Sequence, residues 1–239
     1  MGSSPHTNLD FYLTPEHECS YLPDEDAMTL FADPSTNIDT LTYSELIRFG
    51  FRRSGTHVYR PRCPMCDACI PIRIPVERFK MSRSQRRNWK ANADLQVTAV
   101  AAEFKLEHFE LYQRYMHARH AGGGMDTDEQ NKYIEFLINP YIDAIFYEFR
   151  DQGKLIAVAI VDKLDDALSA VYTYFDPDYS SRGLGVFAVL WQITQAQQML
   201  KRHVYLGYWI TNCQKMDYKD KYRPYEIFRE GDWVEVLKK

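Results

Sequence analysis

Three apolar runs follow one another in the second half of the chain: IFYEF from Ile145, LIAVAIVDKL from Leu155 and ALSAVYTYFDP from Ala167. Only Asp151-Gln152-Gly153 and Asp165-Asp166 separate them, connections too short for a crossover, so the three predict an antiparallel meander. SSRGLGVFAVLWQITQAQQMLKR then reads as a glycine loop opening a long helix over about 186–202, and HVYLGYWI returns as a strand. A loop that opens a helix presents backbone N–H groups and the positive end of the helix dipole. Arg182, Gly183 and Gly185 are therefore candidate phosphate contacts.

Charge is distributed unevenly along the 239 residues. Between Arg48 and Lys90 there are twelve Lys or Arg and two acids, a net +10 in a chain whose formal charge is −4, leaving −14 for the other 196 residues. Clustered Lys and Arg attract phosphate whatever the net charge of the whole chain. No acid stands between Arg78 and Lys90, and a solvated helix face normally mixes signs. Arg78, Arg83, Arg86, Arg87 and Lys90 are the expected nucleic-acid surface.

The same stretch holds Cys63, Cys66 and Cys69, whose C-x-x-C-x-x-C spacing is a common bite for zinc or an iron-sulfur cluster. A closed site needs a fourth ligand, which Cys19 or His17 would supply; free thiols with a structural or redox-sensitive role are the other reading. An odd total of five cysteines argues against a disulfide framework. HVYRP and CIPIRIPV flank the loop as strands, the second read as an edge strand because of its prolines. A helix is expected over 42–49, and another from Leu106 with Phe109, Tyr112, Tyr115 and Met116 on one face. A third falls near 129–137, and a strand over 91–102. The composition shift near that strand divides an N-terminal region, 1–95, from a C-terminal domain, 96–239. The segment 211–228 reads as a loop. No run approaches the roughly 20 apolar residues of a membrane span, and the N-terminus has no export signal, so a cytoplasmic protein is expected.

The order of meander, glycine loop, helix and further strand resembles the Gcn5-related N-acetyltransferase (GNAT) fold, a mixed α/β arrangement with a mainly antiparallel sheet. In that fold the strands before and after the helix splay apart around the acyl donor. The usual Gln or Arg three positions before the first glycine is Ser180 here, a departure that counts against acetyl-coenzyme A. Six blocks, FYLTPEHECSYLP, FGFRRSGTHVYRPRCPMCDACIPIRIPV, SRSQRR, YMHARHAGGGM, YFDPDYSSRGLGVF and YLGYWITNCQKMDYK, together resemble the arginyl-tRNA-protein transferase family and its short bacterial branch. The resemblance implies transfer of leucine from leucyl-tRNA to the N-terminal α-amine of proteins beginning with Asp or Glu, marking them for N-degron degradation, with no cofactor required. In long relatives of the family, cysteines are linked to metal or cluster binding. Here Leu22 and Asp67 stand where two such cysteines would be.

The residues suit this chemistry. The donor is an activated ester on a polyanion, and the basic stretch answers the polyanion. The acceptor carries an acidic side chain that a guanidinium can read in bidentate fashion. Arg52, Arg53, Arg73, Lys215 and Lys219 are the candidate acceptor contacts, with Arg119 behind them. Tyr174, Tyr208 or the glycine-loop backbone would stabilise the oxyanion, and His17, His120 or a water relay would take the proton. No Ser-His-Asp set is present, so direct transfer is expected. The competing readings are an arginyl-tRNA-dependent transferase and a non-catalytic RNA-binding or redox-sensing cysteine module.

Overall fold

The computed structural model describes residues 9–120 and 129–236, with only the backbone of His120. The N-terminal elements are β1 (Phe11–Leu13), β2 (His17–Glu18), β3 (Asp26–Ala27), β4 (Thr29–Ala32), α1 (Thr40–Arg48), β5 (Arg52–Ser54) and β6 (His57–Pro61). Four of these strands form an antiparallel sheet in the order β1-β4-β6-β5, and β2 pairs with β3. Helix α1 begins where the Asp39 carboxylate accepts the Thr42 N–H at 2.8 Å.

The chain continues through β7 (Ile70–Pro75), α2 (Arg83–Ala91), β8 (Gln96–Ala101), α3 (Leu106–His120), α4 (Gln130–Leu137), β9 (Ala144–Asp151), β10 (Lys154–Lys163) and β11 (Ala167–Phe175). After these come α5 (Leu184–Gln198), β12 (His203–Trp209), β13 (Glu226–Arg229) and β14 (Asp232–Glu235). One sheet of eight strands has the order β14-β13-β7-β12-β11-β10-β9-β8. Every pairing in it is antiparallel except β11 with β12, which the α5 crossover makes parallel. The fold is thus mixed α/β with a mainly antiparallel sheet, and the meander is β9-β10-β11. Successive side chains of β10 point to opposite faces, yet Leu155 to Val161 are all buried, so both faces of the sheet are covered there. Leu184, Phe187, Leu190 and Ile193 of α5 and Tyr112 and Met116 of α3 belong to the same core.

Three details differ from the sequence reading. The proline-containing β7 is an interior strand between β12 and β13 rather than an edge. Its ladder with β13 is two residues long, and its register to β12 shifts between Tyr205 and Tyr208, so few N–H donors are demanded of it. Helix α5 ends at Gln198, with Leu200 turning at positive φ. The segment expected to be a loop contains a 3-10 turn at Asp217–Lys221 and the beginning of the β13-β14 hairpin, whose reversal at Glu230-Gly231 has positive φ at both residues. Because β7 lies inside the large sheet, the sequence division at 95/96 is not a division of the sheet.

Candidate active site

Strands β11 and β12 begin side by side and then part. They pair only at Ala167 with His203, Leu168 with Val204 and Ser169 with Tyr205, although the strands run on to Phe175 and Trp209. Two cations are set into the opening. Arg52, projecting from β5, donates from Nη2 to the Val171 carbonyl at 3.0 Å and lies 6.0 Å from the Tyr208 ring centre. Lys219, on the Asp217–Lys221 turn, donates from Nζ to the Tyr208 carbonyl at 2.5 Å and contacts Met216 Sδ at 3.3 Å. Gly207 makes room for the guanidinium: a Cβ there would stand 2.2 Å from Arg52 Nη1, and its φ of +76° favours glycine.

Among the described residues, neither Arg52 nor Lys219 pairs with a carboxylate, although Lys219 is only 3% exposed. Burial opposes the Arg52 charge, but the surrounding Tyr59, Tyr21 and Tyr208 hold its pKa above the ordinary arginine range. Burial, and then Arg52, push Lys219 well below the ordinary lysine range, with Cys213 and Cys69 acting in the opposite sense. Aromatic rings wall the site. Tyr218 is 39% exposed, with Lys219 Nζ 6.0 Å from its ring. Tyr172 donates to Met116 Sδ at 3.6 Å, and Arg119 lies over the rings of Tyr115 and Phe175. A cavity at the root of the opening, lined by Arg52, Ser169, Gly207 and Tyr208 among others, has a volume of about 10 Å³, no more than one water needs. Anything larger must enter from the mouth.

The expected acceptor cations have separate fates. Arg53 is fully buried and grips Asp162, with Nε to Oδ2 at 2.8 Å and Nη2 to Oδ1 at 2.5 Å. Arg73 donates to Glu226 at 2.7 Å and stacks on Trp233 at 4.3 Å. Lys215 lies in the turn ahead of Lys219. Arg52 and Lys219 meet at the opening. The expected oxyanion donors are committed elsewhere. The Tyr208 hydroxyl has two carbonyl neighbours, Gly50 at 3.0 Å and Tyr59 at 3.3 Å, and its single proton goes to them. Tyr174 is fully buried with its hydroxyl 2.9 Å from that of Tyr133. His17 sits on an exposed strand bonded to Pro15, and the His120 side chain lies outside the described residues. The sequence reading does not single out Gly207; a glycine inside an otherwise apolar strand is the available signal.

The basic residues divide as well. Arg78 pairs with Glu226 and Glu235, and Arg182 with Asp94 and Asp151, so both bind protein acids. Arg83, Arg86, Arg87 and Lys90 are exposed on α2, which starts with a capping box between Ser82 and Gln85. This helix is tied to both sides of the opening. Asn88 Nδ2 donates to the carbonyls of Arg182 and Gly183 at 2.9 and 3.2 Å, and Gln85 Nε2 donates to the Lys221 carbonyl at 3.1 Å. Trp89 stacks on Trp191 of α5 at 6.0 Å. Gly183, at φ +62°, leaves only 2.7 Å between a hypothetical Cβ and Asn88.

The described residues give the expected cysteine metal site no support. Cys19, Cys63, Cys66, Cys69 and Cys213 are free thiols, and no three His, Cys, Asp or Glu among the described residues are grouped to hold a metal ion. Burial first, and then the neighbouring cysteines, push the Cys69 thiol up to about 12, so it is held protonated. Among the described residues, no helix is long and apolar enough to cross a membrane.

A sheet that opens between the strands flanking a glycine-led helix defines an acyltransferase-type fold. The structure of L-PGS from Bacillus licheniformis shares it at a TM-score of 0.51 and 10% identity, covering 68% of this chain and 60% of that one, a likeness of fold alone. Residues 17–87 match the N-terminal model of arginine-tRNA-protein transferase and residues 107–229 its C-terminal model. An aspartate/glutamate leucyltransferase of Pseudomonas putida strain F1 is 53% identical over 95% of this chain and 96% of its own length; one from Hahella chejuensis is 48% identical over 95% and 97%. The chain belongs to the arginine-tRNA-protein transferase family and is an aminoacyltransferase.

Proposed function

We propose that this enzyme moves leucine from leucyl-tRNA to the N-terminal α-amine of proteins beginning with Asp or Glu, a product marked in the cytoplasm for N-degron degradation. The single observation that carries the acceptor half is the Arg52 guanidinium, charged and, among the described residues, without an acid partner at the parting of β11 and β12. An acidic side chain entering there supplies the missing anion, and the guanidinium can bind it in bidentate fashion. The names of the relatives support leucine as cargo and Asp or Glu as acceptor.

The donor half rests on α2. Its exposed Arg83, Arg86, Arg87 and Lys90 contact tRNA phosphates, and its tethers through Asn88 and Gln85 bring the charged 3′ end toward the opening. The ester is already activated, so holding amine and carbonyl in contact supplies much of the rate. The test incubates purified protein with leucyl- or arginyl-tRNA and peptides beginning with Asp, Glu, Asn or Ala. Leucine on the Asp and Glu peptides alone is expected. Arginine on them would reassign the cargo, and no modification with either tRNA would overturn the proposal.

A further inference from the structure

Resting on that acceptor site, we infer that Lys219 is the proton acceptor for the incoming α-ammonium, while Arg52 holds the side-chain carboxylate. An N-terminal amine with a pKa near 8 arrives mostly protonated at neutral pH and cannot attack until it loses that proton. Among the described residues, the charged or titratable groups bearing on Lys219 are Arg52 from β5, Cys213 from the loop after β12 and Cys69 from the loop before β7. Tyr208 and Tyr218 stand beside them. None is a carboxylate or an imidazole. Cys69 and Tyr208 are held protonated by burial.

The hydrogen-bond count at Nζ points the same way. A neutral amine has two N–H donors and one lone pair, and Lys219 has two acceptors in contact, the Tyr208 carbonyl at 2.5 Å and Met216 Sδ at 3.3 Å. A third proton would find no acceptor among the described residues and would sit near a guanidinium. The neutral form satisfies both contacts and leaves its lone pair for an incoming proton.

The step balances without another reagent. Lys219 Nζ takes one proton from the α-ammonium, and the freed nitrogen pair attacks the ester carbonyl carbon. As the tetrahedral adduct collapses, the C–N bond is kept and the C–O bond to the terminal ribose breaks. The ribose hydroxyl leaves with the second proton from the attacking nitrogen, and Lys219 returns its proton to solvent. Amine and ester become amide and alcohol with no change in oxidation state.

Single-turnover transfer from leucyl-tRNA to an Asp-initiated peptide between pH 6 and 9 tests the role. Lys219→Met and Lys219→Arg should each slow the step by roughly 10²-fold at pH 7 with peptide KM nearly unchanged. The deficit should shrink by about tenfold per pH unit until the amine deprotonates by itself near pH 8. A deficit independent of pH, one lying in KM alone, or full activity in Lys219→Arg would overturn the inference. Wild-type enzyme gives a check that needs no variant to fold. With 3-fluoroaspartate as the N-terminal residue, whose amine is more acidic, the acid limb of the rate profile should stay in place, because it belongs to the enzyme; a limb that moves with the acceptor overturns the role of Lys219. Transfer from leucyl-tRNA with no preference for acidic acceptors would refute the Arg52 reading but not the Lys219 one, and no transfer by wild type refutes both.

Discussion

Arg52 and Lys219 bond carbonyls on opposite sides of one opening, the first to Val171 on β11 at 3.0 Å and the second to Tyr208 on β12 at 2.5 Å. Each cation comes from outside the diverging pair, and each satisfies a strand carbonyl near where the ladder has ended.

Gly207 is what admits Arg52. Gly207→Ala would place a methyl 2.2 Å from Nη1 and strain a residue at φ +76°. The guanidinium should be displaced, with transfer to Asp and Glu peptides falling about 100-fold, the order of loss expected when a positioned group moves by about 1 Å. Binding of leucyl-tRNA should be kept, as measured by filter retention.

Arg53 should behave as a stability residue. With Arg53 and Asp162 both fully buried, Arg53→Met leaves an unpaired carboxylate in the core and should cost about 3–5 kcal/mol. Thermal unfolding should report a drop of roughly 10 °C, with acceptor preference unchanged in the folded fraction.

Glu226 and Glu148 predict acid sensitivity. Burial would raise both, yet bonds from His203 and Arg73 to Glu226, and from His108, Lys105 and Arg150 to Glu148, carry each down to about 2 from 4.5. A carboxylate lowered on folding contributes stability above its unfolded pKa and loses it as pH falls through the folded one. Each should therefore contribute up to about 3 kcal/mol at neutral pH and lose it between about pH 4.5 and 2. Urea unfolding at pH 7 and pH 3 should show that loss, and Glu226→Gln should make it smaller.

The exposed face of α2 predicts a salt effect. Reversing Arg83, Arg86 and Arg87 to Glu should weaken tRNA binding and reduce the slope of log affinity against log salt by about 2 to 3. Arg182→Ala should leave that slope unchanged, because Arg182 is held by Asp94 and Asp151.

Strand and helix periods within 145–209 determine the meander, the crossover helix and the returning strand, since each is written in local apolar spacing and turn residues. Charge density likewise marks Arg83, Arg86, Arg87 and Lys90 as a surface, because Asn88 and Trp89 turn the opposite face of α2 toward α5. The five acceptor cations, by contrast, look alike in one dimension. Only the fold buries Asp162 against Arg53, lays Glu226 beside Arg73, and leaves Arg52 and Lys219 facing an opening where no acid of the described residues pairs with them. Position 53 is separated from its partner by 109 residues and Arg52 from Val171 by 119. The pairing of a charge is a matter of distance in space, and no local pattern encodes a contact that far along the chain.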